Sequence, residues 1–232
     1  MDPRVEELLP AIEMLGFRST DIAQARSRFH TTAATYPAPD GVTIEPLTVA
    51  GRTALRFTRD GGSDGRKVLH LHGGGFVLAD LELQLTMPAL IAIRTGAEVV
   101  SLDYRVAPEH PCPAATEDAV AAYEELASSG PLSAIAGESA GATLTVLTAV
   151  ALRDRGAELP RALVAISPWT DMAGASSRHL DPGFIDPVLS REFLSVSATA
   201  WRGGLPVDDP RVTPRHADLA GRTPNQMQYL RQ

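Results

Sequence analysis

Several things are scarce in this sequence, and each scarcity removes a class of function. A single cysteine, Cys112, leaves no internal disulfide to form, and its setting in His110-Pro111-Cys112-Pro113 has no metal-ligand spacing. Its reading is a small apolar filler. Aromatic residues make up only 5% of the 232 residues, and no apolar run approaches the ~20 residues that span a bilayer. Positive charge is outnumbered: 21 Lys and Arg face 28 Asp and Glu, for a net charge of −7. Nucleic acid and other polyanionic partners need a basic stripe and are not expected. The start, Met1-Asp2-Pro3-Arg4, lacks the basic-then-apolar pattern of a secretory signal, so the expected location is cytoplasmic. No two histidines have zinc spacing, and neither a metal nor another cofactor is expected. Nothing reads as an interdomain linker, and the length suits one α/β domain with a sizeable core.

What is present centres on Ala136-Gly137-Glu138-Ser139-Ala140-Gly141. A short apolar run, Leu132 to Ala136, precedes it, and a longer run of apolar and small residues, Ala142 to Leu152, follows. Strand, sharp turn and helix are the context of a nucleophile elbow. A serine on so tight a turn has unusual backbone angles, and a side chain at Gly137 or Gly141 would meet the neighbouring strand or helix. The turn also puts the N–H of Ala140 at a helix N-terminus, where unpaired donors favour a developing oxyanion. The plainer alternative is a Gly-Ser turn that starts a helix.

Before the elbow, Val5, Leu8, Leu9, Ile12 and Leu15 recur at helical spacing after Asp2 and Pro3, and Gly16 ends that segment. A second helix is expected from Asp21, with Ile22, Ala25 and Phe29 on one side and His30 closing it. Val42–Glu45 and Leu47–Val49 read as one interrupted strand, with 53–58 as its hairpin partner and Asp60–Gly65 as a surface turn. Lys67–Leu71 is a short apolar strand that runs into His72-Gly73-Gly74-Gly75-Phe76. Three glycines let the main chain approach a ligand with N–H groups inward, as a second oxyanion donor requires. A helix over Leu81–Thr95 and a strand over Ala97–Leu102 are expected next. Prolines 108, 111 and 113 then brace the segment 103–113 ahead of a helix over Ala114–Ala127. Asp103 and Arg105 read as members of an ion-pair network internal to that segment. Structural roles suffice for His70, His72 and His110.

In this order and spacing, the His72–Phe76 loop, the Asp103–Pro113 segment and the Gly137–Gly141 elbow resemble the hormone-sensitive lipase group of α/β hydrolases, which includes many bacterial carboxylesterases. The segments 167–172 and 208–214 resemble those the group carries after its sixth strand and ahead of its seventh. The resemblance implies a mostly parallel central sheet flanked by helices. It also implies one domain with a helical cap segment at 1–36, a core at 37–172, a cap-like insertion at 173–205 and an incomplete end of the core at 206–232. Ser139 would attack an ester carbonyl, with the oxyanion held by N–H groups from Gly73, Gly74, Gly75 and Ala140. Which glycines donate stays open at this stage. His72, Gly137, Glu138 and Gly141 support the motifs; Glu138 replaces the group's usual Asp and is expected to pack beside the elbow with small effect.

The group's triad places an acid after the seventh strand and a histidine after the eighth. The chain reaches Gln232 inside the expected seventh strand, and Asn225–Gln232 is too polar for a strand buried on both faces. The C-terminal strand and helix elements, with the acid and base, are therefore expected to be missing. His179 and His216 are the histidines beyond Ser139, with Asp171, Asp181, Asp186, Asp208 and Asp209 as candidate orienters; both histidines read as solvated surface groups. Three expectations follow from different classes. One is a serine carboxylesterase acting on small to medium acyl esters, of which this chain is a shortened version expected to be nearly inactive by itself. Another is a catalytically impaired or non-catalytic ligand-binding homologue. The last is one part of an assembly, a homo-oligomer included, in which a partner chain completes the sheet at the edge near 162–166 and supplies the rest of the triad. The substrate pocket is expected between the N-terminal helices and residues 173–201, which include Phe184, Leu189, Phe193 and Leu194.

Overall fold

The computed structural model describes residues 10, 15–33, 37–78, 81, 84–130, 132–174, 186 and 188–220. Its centre is a six-stranded sheet of order β1-β2-β4-β3-β5-β6. The strands are β1 (Val42–Val49), β2 (Arg52–Arg59), β3 (Lys67–Leu71), β4 (Glu98–Leu102), β5 (Ala134–Glu138) and β6 (Leu163–Ile166). The hairpin β1–β2 and the pair β2–β4 are antiparallel, whereas β4, β3, β5 and β6 run parallel. The turn between β1 and β2 has Ala50 at φ 48° and Gly51 at φ 73°, the double left-handed geometry that matches strand twist. Ala50 is held there by its N–H, which donates to Glu125 Oε2 at 2.8 Å.

Side-chain alternation along the parallel strands builds a core on each face. Leu69, Leu71, Val100, Leu102 and Ile135 point to one side, while Val68, Val99, Ala134 and Ala136 point to the other. Helix α1 (Ile22–Ala33) precedes the sheet, and α2 (Thr86–Thr95) covers the second face with Ala89 and Ala92. On the first face lie α3 (Ala114–Ala127) and α4 (Ala140–Asp154), through Ala119, Val120, Leu144 and Leu147. Helix α5 (Arg191–Arg202) follows, capped by Ser190 Oγ accepting from the Phe193 N–H, and a 3-10 turn occupies Pro214–His216. Among the described residues, no helix is long and apolar enough to cross a membrane.

Four local expectations change. Helix α2 starts at Thr86 rather than Leu81. Pro88 belongs in a first turn and would clash with the preceding turn of a helix begun earlier. β1 runs unbroken through Pro46, because among the described residues it pairs with β2 alone and an edge strand turns half its N–H groups away from the ladder. The charges of the proline-braced segment pair outward: Arg105 binds Asp118 on α3 at 2.8 Å, and Glu109 binds Arg26 on α1 at 2.7 Å. The Asp103 contribution is its carbonyl, which accepts from Arg52. The helix expected over the first fifteen residues and the strand expected near 225–232 fall outside the described residues. β6 stands at one edge of the described sheet, with Val164 36% exposed.

Candidate active site

Ser139 joins β5 to α4 at φ 53° and ψ −120°, a conformation that L-residues rarely adopt. Its N–H donates to the Ile166 carbonyl at 2.9 Å, tying the turn to β6. The two flanking glycines are required by space. A Cβ on Gly137 would stand 2.5 Å from the Gly141 carbonyl, and one on Gly141 would stand 2.0 Å from the Leu71 carbonyl oxygen. The elbow is thus wedged against the end of β3, where the glycine loop begins. Ala140 opens α4, and a first-turn N–H has no acceptor within its own helix.

Glu138 does more than pack. Its Oε1 accepts from the Gly73 N–H at 2.7 Å, and its Oε2 meets His70 Nε2 at 3.0 Å. Fully buried His70 in turn meets Ser101 Oγ through Nδ1 at 2.9 Å. Burial opposes ionisation of the Glu138 carboxyl, but His70 and the Gly73 N–H together outweigh it and hold the group below its ordinary range. The carboxylate therefore fastens the nucleophile strand to the glycine loop. It also engages one of the three glycine N–H groups considered as oxyanion donors.

Beyond Gly73 the main chain passes through Gly74 (φ 115°), Gly75 (φ 63°) and Phe76 (φ 63°). The Gly74 carbonyl accepts from the N–H groups of Val77 at 3.1 Å and Leu78 at 2.9 Å, so the loop closes into a tight turn. A Cβ on Gly74 would meet the Leu78 carbonyl oxygen at 2.6 Å. Phe76 stacks on Trp201, with centroids 3.9 Å apart. His72 supports the loop from below: its Nδ1 donates to the Gly73 carbonyl at 2.8 Å, and its ring stacks on Tyr104. Tyr104 Oη donates to the His72 carbonyl at 2.6 Å. Burial pushes the His72 imidazole down and the Tyr104 phenol well up, so both are neutral scaffolding.

Ser139, Glu138 and all three loop glycines line one cavity of about 1240 Å³. Phe17 and Phe29 contribute from the N-terminal side, Leu189 from just ahead of α5, and Phe193 and Leu194 from its first turn. Trp169 and Met172 contribute from the loop after β6, which Thr143 Oγ1 anchors by donating to the Trp169 carbonyl at 2.7 Å. Gln84 also lines the cavity, a residue with no motif to mark it. Phe184 lies outside the described residues.

Among the described residues, no histidine is hydrogen-bonded to Ser139. His216 is exposed and does not line the cavity; His179 and Asp181 lie outside the described residues. Of the candidate acids, Asp171 lines the cavity with Oδ2 paired to Arg215 at 2.8 Å. Asp186 also lines it, and its Oδ1 accepts from the N–H groups of Val188 and Leu189. Asp208 is exposed, and Asp209 pairs with Arg211 at 2.7 Å.

Residues 68–229 match a protein-family model described as alpha/beta hydrolase fold. The chain is 37% identical over 187 residues to an acetyl-hydrolase of Streptomyces hygroscopicus, covering 79% of this chain and 62% of that protein. It is 30% identical over 197 residues to an esterase of Acinetobacter venetianus, covering 83% of this chain and 65% of that one. The chain therefore spans less than two thirds of the length of these two relatives. The crystal structure of an esterase from the bacterial hormone-sensitive lipase family superposes with a TM-score of 0.89 at 34% identity, covering 99% of this chain and 78% of that one. With a strained serine wedged between strand and helix, and a triple-glycine loop on the same cavity, the chain belongs to the α/β-hydrolase fold family, within its hormone-sensitive lipase group.

Proposed function

We propose that this chain carries the nucleophile and oxyanion hole of a carboxylic ester hydrolase. The observation that carries the proposal is the joint placement of Ser139 and the Gly73–Gly75 loop on one large, mainly apolar-lined cavity. Ser139 Oγ bonds to the acyl carbon of an ester, and the carbonyl π pair moves onto oxygen. With the Gly73 N–H engaged by Glu138, the reading assigns the oxyanion to the N–H groups of Gly74, Gly75 and Ala140. Collapse expels the alkoxide and leaves an acyl-serine, which water cleaves to release the carboxylic acid. The Ser139 proton needs a base within about 3 Å, oriented by a partner, as in every serine hydrolase of this logic. Small to medium acyl groups suit a wall in which Phe29, Phe193 and Leu194 alternate with Ser195, Thr199 and Arg202.

The test is turnover of p-nitrophenyl esters across a chain-length series by the 232-residue chain and its Ser139→Ala variant. On this reading, whatever turnover the chain supports is expected to peak at short to medium acyl groups and to disappear with Ser139. Activity that survives Ser139→Ala, or that peaks at long acyl groups, overturns it. A second reading is a catalytically impaired or non-catalytic ligand-binding homologue. Saturable ester binding without Ser139-dependent turnover would favour it. A cytoplasmic location, in keeping with Cys112 forming no disulfide among the described residues, and self-association along the β6 edge of the described sheet, where Val164 is exposed, belong to the same proposal.

A further inference from the structure

Gly74, Gly75 and Phe76 form three consecutive residues with positive φ, one of them a phenylalanine. Nothing in the local sequence favours that path at Phe76, so the turn is held from outside. One hold comes from α1. Arg26 Nε donates to the Val77 carbonyl at 2.7 Å, and Nη2 donates to the Ala107 carbonyl at 2.8 Å. The same guanidinium meets both oxygens of Glu109, Nη1 to Oε1 and Nη2 to Oε2, each at 2.7 Å. The Ala107 N–H donates to the Phe76 carbonyl at 2.8 Å, and the N–H groups of Val77 and Leu78 both reach Gly74. One planar fork thus grips both strands of chain that enclose the oxyanion turn. Around it, Ala25 and Phe29 of α1 pack on Val77, Leu78, Ala107 and Phe193 in one small apolar cluster.

We propose that Arg26 is a positioning residue for the oxyanion turn, coupling the N-terminal helix that walls the cavity to the loop that bears Gly74 and Gly75. Its catalytic consequence rests on the reading of those glycines as oxyanion donors; the coupling itself does not. Glu109 is 54% exposed, so its ion pair is screened and weak. The two carbonyl contacts are the part that acts on the loop. A lysine ammonium cannot reproduce a planar fork with donors directed to Val77, Ala107 and Glu109 at once.

Hydrogen exchange read by mass spectrometry on the 232-residue chain tests this without requiring turnover. The amides of Val77, Leu78 and Ala107 report on the turn, and the β1–β2 hairpin reports on global stability. Arg26→Met should speed exchange of the reporters about tenfold, the equivalent of one lost hydrogen bond to a charged group, with the hairpin unchanged. Arg26→Lys should fail to restore protection, and Glu109→Gln should leave it intact. Loosening confined to α1, with the reporters unchanged, overturns the proposal; so does full rescue by Arg26→Lys. Should Arg26→Met also unprotect the hairpin, the Lys and Gln variants decide by the same two criteria. Where ester turnover is measurable, Arg26→Met should lower kcat with KM nearly constant, and a change in KM alone counts against positioning. Exchange coupling in a chain whose residual turnover survives Ser139→Ala would refute the hydrolase reading and leave the coupling standing.

Discussion

Gly141→Ala probes the packing on which the nucleophile turn depends. A methyl group there would sit 2.0 Å from the Leu71 carbonyl oxygen and 2.4 Å from that of His72. Both contacts are backbone, so no side-chain rotation relieves them; either α4 or the end of β3 must shift. Forced insertion into a packed interior costs about 1–3 kcal/mol, and backbone obstruction on both carbonyls puts this case at about 3 kcal/mol. Against this, alanine is a better helix former than glycine by about 1 kcal/mol. The balance is about 2 kcal/mol, which for a chain of this size lowers Tm by roughly 4–8 °C. Gly204→Ala is the control, since a methyl group there meets nothing within 4 Å. Thermal unfolding followed by circular dichroism, with both variants checked for native near-UV signal, makes the comparison. A Gly141→Ala variant as stable as Gly204→Ala would refute the wedge between elbow and glycine loop.

Ser139→Gly should be more stable than Ser139→Ala by about 1 kcal/mol, because glycine relieves the positive φ that alanine retains; chemical denaturation of the two variants checks this. Glu138→Ala frees the Gly73 N–H and leaves the buried His70 Nε2 without its partner. It should cost about 1–3 kcal/mol in the same assay and reduce any Ser139-dependent acylation. The Arg26 guanidinium beside Glu109 holds that carboxyl at about 2, against an ordinary 4.5. Because the folded-state value lies below the unfolded one, its stabilisation is complete above 4.5 and disappears as pH falls toward 2. Glu109 is half exposed, so the stability difference between parent and Glu109→Gln should be below about 1 kcal/mol near neutral pH and vanish in acid.

The sequence showed most clearly those parts of the site whose chemistry is local. A glycine needed beside a tight turn, an apolar run that must be a buried strand, and a serine between them are fixed by neighbours in the chain. So Ser139, Gly137, Gly141 and the 73–75 loop were legible. The Glu138 tether was not, because its partners are His70 and Gly73 and only the β3–β5 pairing brings them together. Arg26 was hidden in the same way: its acceptors lie on two loops that meet only in the folded chain. The α2 start was legible in principle, since Pro88 restricts it to a first turn, but Leu85 offers no side-chain cap to mark the boundary. Pro46 misled in the other direction, because sequence does not say that its strand pairs on one side only among the described residues.

The most direct test of the central claim is the intact mass of the folded 232-residue chain after exposure to a fluorophosphonate, with Ser139→Ala in parallel. The predicted result is gain of one phosphonyl group by the parent, at a rate set by the base that reaches Ser139, and none by the variant. A folded parent that gains no mass, or a variant that gains the same mass, would contradict Ser139 as an activated nucleophile.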